Sequence, residues 1–272
     1  MLEGAKLRAR RLLRAPYVLE QMRTFWRGFA NWRYGGNWPA ASAAPYQPNP
    51  CNPLRAFFNA RREGRGIFKW DHYFDIYDRH FSRFRNRPVN ILEVGIYSGG
   101  SLEMWKDYFG PSCRIYGVDI QPACRAYESD CVKVFIGDQA DRNFWKHFKE
   151  QVPSLDIVID DGSHIAAHQM VTFDELLPHL SPGGVYLCED ISGVLQSFAS
   201  YAYGVAHNLN ACAETRYKVD EERAEVRQAT PLQSAVASMH FYPYVTVVER
   251  TAAPVTEFLS LRHGTRWEPF LG

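Results

Sequence analysis

The chain has 272 residues, of which 46% are hydrophobic, 14% aromatic and 22% charged, with a formal net charge of +1. That is enough apolar material for one large domain with an appendage, which excludes disordered, collagenous and coiled-coil proteins. The near-neutral balance gives no global electrostatic reason to bind nucleic acid or an anionic membrane. No apolar run approaches the ~20 residues of a transmembrane helix, and the start lacks the apolar stretch and small-residue cleavage site of a secretory signal. The six cysteines (51, 113, 124, 131, 188 and 212) include no CxxC pair and read as reduced thiols of a cytoplasmic protein.

Residues 1–34 form a basic arm, with Leu12, Leu13, Val18, Met22, Phe25, Trp26 and Phe29 at roughly helical spacing and a break near Pro16. An organelle transit peptide, a membrane-surface helix, and an arm packed on a neighbouring subunit or on the core are all open readings. Residues 35–53 are rich in Gly, Pro, Ala, Ser and Asn and read as a linker, so the expected division is an arm and linker at 1–52 and a catalytic domain at 53–272. Two helices are expected over 53–84, where Leu54, Phe57, Phe58, Tyr73, Ile76, Tyr77 and Phe81 recur at helical intervals.

From residue 89 the pattern becomes short β-branched runs (89–94, 114–118, 132–136, 157–159 and 185–188) separated by amphipathic segments, which predicts an α/β, doubly wound parallel sheet. A helical or mixed stretch after residue 200 leads to strands 237–242 and 245–250, too close around Pro243 for a crossover and therefore an antiparallel hairpin. The expected architecture is thus a seven-stranded Rossmann-like sheet with an N-terminal helical arm.

In such sheets a ligand sits beyond the carboxyl ends of the strands, and those ends are polar in this chain. The first closes as Glu93-Val94-Gly95-Ile96-Tyr97-Ser98-Gly99-Gly100-Ser101 before a helix expected near Leu102. Tyr97 stands where a dinucleotide fingerprint needs its second glycine, which disfavours a pyrophosphate cradle. The second strand ends at Asp119, whose carboxylate suits ribose hydroxyls. After the third come Gly137, Asp138 and Gln139, with groups suited to an adenine edge. Each alone reads as a turn or cap; their order on successive strand ends points to a nucleoside-type cofactor.

The fourth strand ends in Asp160-Asp161-Gly162-Ser163-His164 and the fifth in Glu189-Asp190, bringing up to four carboxylates to one rim. Such crowding is costly without a cation, and an all-oxygen donor set selects a hard ion such as Mg2+, with calcium or manganese as alternatives. His164 shares the turn with Asp161, and a histidine, ordinarily titrating near ~6.5, suits a general base.

These motifs resemble a class I S-adenosylmethionine-dependent methyltransferase. More narrowly, residues 92–101 with 160–164 and 189–190 resemble the magnesium-dependent sugar O-methyltransferases of macrolide tailoring, a group with rhamnosyl, mannosyl and cephalosporin-hydroxylase-like relatives. The likeness spans roughly residues 68–250. It implies S-adenosyl-L-methionine bound by Glu93, Gly95, Tyr97, Ser98, Ser101, Asp119, Asp138, Gln139 and Asp160, with Lys69 at its methionine end. It also implies Mg2+ on Asp161, Glu189 and Asp190, His164 as base, and a sugar, glycan or small-molecule acceptor. A lid over 192–203 presenting Tyr201 and Tyr203, and a homo-oligomer closed by the N-terminal region, complete the expectation. Three alternatives stand beside it. A catechol-type acceptor is opposed by Glu189-Asp190, where such enzymes carry an asparagine. An oxygen-activating iron enzyme wants two histidines rather than one. A non-catalytic relative is opposed by the complete reactive set.

Overall fold

The computed structural model describes residues 46–192, 197–211 and 223–265, together with Met22 and Trp26. The chain divides into two compact units, 1–47 and 48–272. The expected arm and most of the linker lie outside the described residues.

The larger unit opens with α1 (Pro53–Ala60), whose start is set by Asn52: its side-chain oxygen accepts from the main-chain N–H groups of Leu54 and Arg55 at 3.0 and 3.3 Å. An irregular segment leads to α2 (Tyr73–Phe81). Strands and helices then alternate: β1 (Val89–Val94), α3 (Gly100–Phe109), β2 (Cys113–Asp119), β3 (Val132–Ile136), α4 (Arg142–Gln151), β4 (Leu155–Asp160), α5 (Ala166–Leu176) and β5 (Leu180–Cys188). Next come α6 (Ser197–His207), β6 (Arg223–Gln228), α7 (Pro231–Ala235), β7 (Val236–Tyr242), β8 (Val245–Arg250) and β9 (Glu257–Leu261). The main sheet runs in the order β3-β2-β1-β4-β5-β8-β7, parallel from β3 to β5, with β8 antiparallel to both its neighbours. The doubly wound sheet and its closing hairpin thus form as the run spacing predicts.

The sheet is covered on both faces, so its strands carry continuous apolar runs and alternate residues supply two separate cores. Ile91, Ile115, Ile157, Ile159, Val185 and Leu187 face Tyr73, Phe74, Tyr77, Phe81 and Trp105 of α2 and α3. Leu92, Val94, Tyr116, Val158, Tyr186 and Cys188 face Trp145, Phe148, Phe173 and Phe198 on the other side. This alternation also decides on which face each acid at a strand end emerges.

Two features depart from expectation. The strands β6 and β9 pair in a small separate sheet, β6 falling in the stretch where helical or mixed structure was anticipated and β9 beyond the last strand that the pattern predicted. Arg-Ala-Glu-Val-Arg-Gln carries a single large aliphatic residue and so presents no hydrophobic run, whereas β9 carries Phe258, Leu259 and Leu261 but is exposed throughout. The proposed lid helix is α6, but its Tyr201 turns inward, donating to Asp174 and packing edge-on against Phe173, so it is not an acceptor-facing ring; Tyr203 is exposed. Residues 193–196 lie outside the description. Among the described residues no helix is long and apolar enough to cross a membrane, and the five described cysteines are free.

The glycine turn after β1 is tight for an internal reason. Gly95 has φ +86°, and a Cβ there would stand 2.0 Å from the Asp161 carbonyl oxygen, because the turns after β1 and β4 cross in contact. Likewise a Cβ on Gly100 would meet the Gly66 carbonyl oxygen at 2.3 Å. The close approach is therefore between segments of the chain itself, and the two turns are fixed against each other. Gly95→Ala is expected to lose roughly 2–4 kcal/mol of stability, combining left-handed strain with overlap, measured by urea unfolding; a loss within error of zero would show that the turns separate freely.

His80 clamps α2 to the hairpin: Nδ1 lies 2.7 Å from Glu249 Oε1, and Nε2 lies 2.9 Å from the Tyr242 hydroxyl. Burial lowers its pKa, against the opposing pull of Glu249. A depressed folded-state value means the stabilisation is present above the unfolded pKa of about 6.5 and lost as pH falls through the folded one. The urea midpoint should fall between about pH 7 and pH 5, with a shallower slope in His80→Gln; equal slopes would remove His80 from the linkage.

Candidate active site

The acids divide between the two faces of the sheet as the alternation requires. Asp160 follows Val158 and emerges with Tyr186, Gln139 and Thr172. Its carboxylate accepts from Tyr186 Oη at 3.0 Å and Gln139 Nε2 at 3.1 Å, and burial pushes its pKa up to about 6 against those hydrogen bonds. Glu93, Asp161 and Glu189 share the opposite parity and converge on the α2–α3 side. The crowd of four carboxylates expected at the rim is therefore a different four, with Glu93 in place of Asp160.

Lys69 occupies the centre of this group. Its side chain is 3% exposed and its ammonium lies 2.5 Å from Asp161 Oδ2, 2.9 Å from Glu189 Oε2 and 4.0 Å from Glu93 Oε1. Burial opposes the charge, but Asp161, Glu189 and Glu93 outweigh it and hold the lysine pKa above its ordinary range. Arg55 of α1 fixes the segment carrying Lys69: its guanidinium donates to the Asp71 main-chain oxygen and to the carboxylates of Asp71 and Asp75, all at 3.1 to 3.2 Å.

Glu93 is fully buried, accepting from Ser101 Oγ at 2.8 Å and Trp105 Nε1 at 3.1 Å. Burial raises its pKa to about 7, with Lys69, Trp105 and Ser101 opposing. Glu189 is 1% exposed, accepting from Tyr77 Oη at 2.7 Å as well as from Lys69. Burial and then Asp161 drive its pKa upward, against Lys69 and Tyr77. One lysine among four acids leaves this side of the rim acid-rich.

Left-handed corners aim the remaining groups. Asp190 (φ 53°) follows β5, and by strict alternation would emerge on the Asp160 face. Its left-handed turn brings it back to accept from Tyr73 Oη at 2.7 Å and Trp70 Nε1 at 3.0 Å. His164 (φ 56°), just before α5, points Nε2 to 3.5 Å from Asp190 Oδ2 and 4.0 Å from Asp161 Oδ1. Asp161, His164 and Asp190 each present a ligand atom within 4.8 Å of the others. Of the five described non-glycine residues with positive φ, His164 and Asp190 are at this rim, Tyr97 is in the β1 turn and Tyr244 is in the β7–β8 turn beside it. Strain of this kind costs on the order of 1–3 kcal/mol each and persists where the surroundings dictate it.

Two cavities adjoin the rim. One, of about 230 Å³, lies where the strand order reverses between β1 and β4, and is walled by Gly95, Asp119, Gly137, Asp138, Gln139, Ser163 and His168 among others. Asp119 is already tied to the turn, accepting from the N–H groups of Ile96, Tyr97 and Gln121 at 2.8 to 3.1 Å. Gln139 is spent on Asp160, Thr172 and the Ser163 N–H, so only Asp138 offers an exposed side chain toward an adenine edge. The second cavity, of about 190 Å³, is walled by Phe68, Lys69, Trp70, Asp71, Tyr73, Asp161, Glu189 and Asp190. Glu93, Tyr97, Ser98 and Ser101 wall neither cavity: Glu93 and Ser101 form a buried pair behind the rim, and Tyr97 is exposed.

The sequence reading took Tyr77 as packing, and weighed Tyr73 either as packing or, with Lys69, as a partner of the cofactor's carboxylate. Tyr73 and Tyr77 are one helical turn apart, so they share a face and place their hydroxyls on Asp190 and Glu189 in turn. Gln169 of α5 was also passed over: its amide donates to the Glu189 carbonyl at 3.0 Å, and its buried Oε1 has no hydrogen-bond partner. The i, i+4 spacing of the tyrosines was the available signal; Gln169 had none.

The sheet order and the acidic rim define a class I, Rossmann-like methyltransferase fold. No family model matches the chain. It is 35% identical over 233 residues to 8-demethyl-8-alpha-L-rhamnosyl tetracenomycin-C 2'-O-methyltransferase of Streptomyces olivaceus, covering 76% of this chain and 61% of that protein. It is 43% identical over 122 residues to mycinamicin VI 2''-O-methyltransferase of Micromonospora griseorubida, covering 42% of this chain and 30% of that one. Among solved structures it resembles the MycE methyltransferase of the mycinamycin biosynthetic pathway, in complex with Mg and SAH, with TM-score 0.57 and 28% identity over 76% of this chain and 54% of that one. The chain thus has the class I, Rossmann-like methyltransferase fold, and the relatives that it matches over these spans are named as sugar O-methyltransferases. It spans between about a third and three fifths of the length of these curated relatives.

Because Lys69 is the cation nearest Glu93, Asp161 and Glu189, Lys69→Met is expected to lower stability by roughly 2–5 kcal/mol in chelator. Added Mg2+ should restore part of that loss in thermal unfolding. A variant as stable as the parent without metal would show that the acids are neutral in the folded chain.

Proposed function

We propose that this chain is an S-adenosylmethionine- and Mg2+-dependent O-methyltransferase acting on a sugar hydroxyl of a glycosylated natural product. The observation that carries the reading is the convergence of Asp161, Glu189, Asp190 and His164 on one rim, next to the cavity at the strand-order reversal. The relatives named for rhamnosyl and macrolide O-methylation, and a similar structure named as a complex with Mg and SAH, support the same assignment.

The donor set fits a hard divalent ion: oxygens of Asp161, Glu189 and Asp190 at an acid-rich rim with a single resident ammonium. When bound there, such an ion supplies Lewis acidity toward two neighbouring acceptor oxygens, lowering the pKa of the reacting hydroxyl. Tyr77 and Tyr73 hold Glu189 and Asp190 in place, and the left-handed turn at Asp190 directs its carboxylate to the α2 side. His164 Nε2, beside Asp190 and Asp161, is placed to accept the acceptor's hydroxyl proton while those carboxylates stabilise the imidazolium. Asp119, Asp138 and the glycine turn wall the cavity assigned to the cofactor, and Lys69 joins the two regions by lying between Glu93 and the metal acids. Catalysis on this plan is mostly positioning and electrostatics.

The test is methyl transfer to rhamnosylated polyketide and macrolide acceptors, followed by mass spectrometry, with and without chelator. His164→Ala is expected to lower kcat by roughly 100- to 10,000-fold while Mg2+ and S-adenosylhomocysteine affinities, measured by calorimetry, hold. Loss of Mg2+ affinity in that variant would instead make His164 a ligand. Asp161→Asn should lose Mg2+ binding outright; retention of tight binding would move the metal elsewhere.

A further inference from the structure

The second cavity is lined by two kinds of group. Asp71, Asp161, Glu189, Asp190 and Lys69 supply charge, and Phe68, Trp70 and Tyr73 supply aromatic rings. Phe68 is 91% exposed and Trp70 52% exposed, a high solvent cost for large rings next to a buried charge cluster. The Trp70 ring is nonetheless held from two directions. Its Nε1 donates to Asp190 Oδ1 at 3.0 Å, and its ring lies against Tyr244 with centroids 5.5 Å apart.

Tyr244 is the unexpected member. The register Tyr242↔Val245 leaves Pro243 and Tyr244 as a two-residue turn, and Tyr244 has φ +65°. After a proline, the second turn position with positive φ ordinarily carries glycine or asparagine. A tyrosine there is strained, so its side chain needs another reason to be present. The turn is also tied to the rim: the Tyr244 carbonyl accepts from the Ile191 N–H at 3.0 Å, just past Asp190, and His72 Nε2 lies 3.0 Å from the Pro243 carbonyl. A side chain that packs on Trp70, on a turn fastened to the metal-binding strand, fixes the plane of that indole relative to the carboxylates.

We propose that Phe68 and Trp70 form a stacking subsite for the acceptor pyranose, with Tyr244 as a positioning residue that holds the Trp70 ring. This deepens the sugar O-methyltransferase reading and rests on it. A pyranose matches both kinds of lining at once: its C–H face suits an aromatic ring, and its adjacent hydroxyls suit the carboxylates beside it. A flat catechol offers oxygens only in the plane of its ring, and a chain segment or second subunit would bring no pair of vicinal hydroxyls to the acids. The subsite thus gives Trp70 a role toward the acceptor rather than in packing alone.

The experiment uses the full chain with Mg2+ and S-adenosylhomocysteine, and methyl α-L-rhamnopyranoside as the probe, followed by saturation-transfer NMR titration. Wild type is expected to bind saturably, with the strongest transfer to ring C–H protons. Trp70→Leu and Tyr244→Asn should each weaken the probe's Kd roughly tenfold, and Tyr244→Phe should restore it. Tyr244→Asn should melt no lower than wild type, since asparagine accepts the left-handed turn. Calorimetric titration with S-adenosylhomocysteine in the same samples separates the two readings. Probe binding without cofactor binding overturns the methyltransferase reading and leaves the sugar subsite standing. Cofactor binding with no saturable probe binding, or with variants that bind the probe as wild type does, overturns the subsite. A changed oligomeric state of Tyr244→Asn at unchanged probe Kd also overturns it and assigns the rings to a subunit contact.

Discussion

The two-sided burial of the central sheet governs the rest of the molecule. Because β1, β4 and β5 are covered on both faces, successive residues must alternate between two cores, and the alternation continues into the polar residues that end each strand. Glu93, Asp161 and Glu189 are thereby sent to one side and Asp160 to the other, before any ligand is considered. Asp160 becomes part of a satisfied network with Tyr186 and Gln139, whereas the other three share one lysine. Two neighbouring aspartates in one motif thus have different electrostatic lives because a strand has period two.

Much of this was legible in the sequence. The apolar runs gave the strands, the Pro243 spacing gave the hairpin, and the paired acids after β4 and β5 marked the rim. The parity of the acids was legible too, but reading it requires knowing that both faces are buried, which the polar ends of the runs obscure. Long-range partners were not legible: nothing local says that Lys69 reaches residues 92 and 120 positions downstream, or that Tyr73 and Tyr77 carry hydroxyls to Asp190 and Glu189 rather than simply filling a core. Nor can spacing foresee the left-handed turn at Asp190, which overrides the alternation and restores that carboxylate to its neighbours' side.

Asp119 and Gln139 show the opposite outcome. Residue type and order suggested groups free to read a nucleoside, yet most of their hydrogen-bonding capacity goes to the turn amides of Ile96, Tyr97 and Gln121, to Asp160 and to Thr172. A polar residue at a strand end can shape the loop that contacts a ligand as readily as it can touch the ligand, and both roles select the same side chains. Gly95 is similar, since its lack of a side chain is demanded by the Asp161 carbonyl whatever occupies the cavity.

The placement of the hairpin bears on how the chain is made. Strand β5, which leads into Glu189 and Asp190, is flanked on one side by β8, and β8 by β7, so that half of the sheet is completed only by residues 236–250. During synthesis β5 and its row of buried aliphatic side chains stand as an open edge until those residues emerge. Domains with an unfilled edge in mid-synthesis are prone to pair with another copy of themselves. Nascent chains of this protein therefore pass through a stage in which the strand leading into Glu189 and Asp190 is an open edge, and the hairpin that closes the sheet is what ends that exposure.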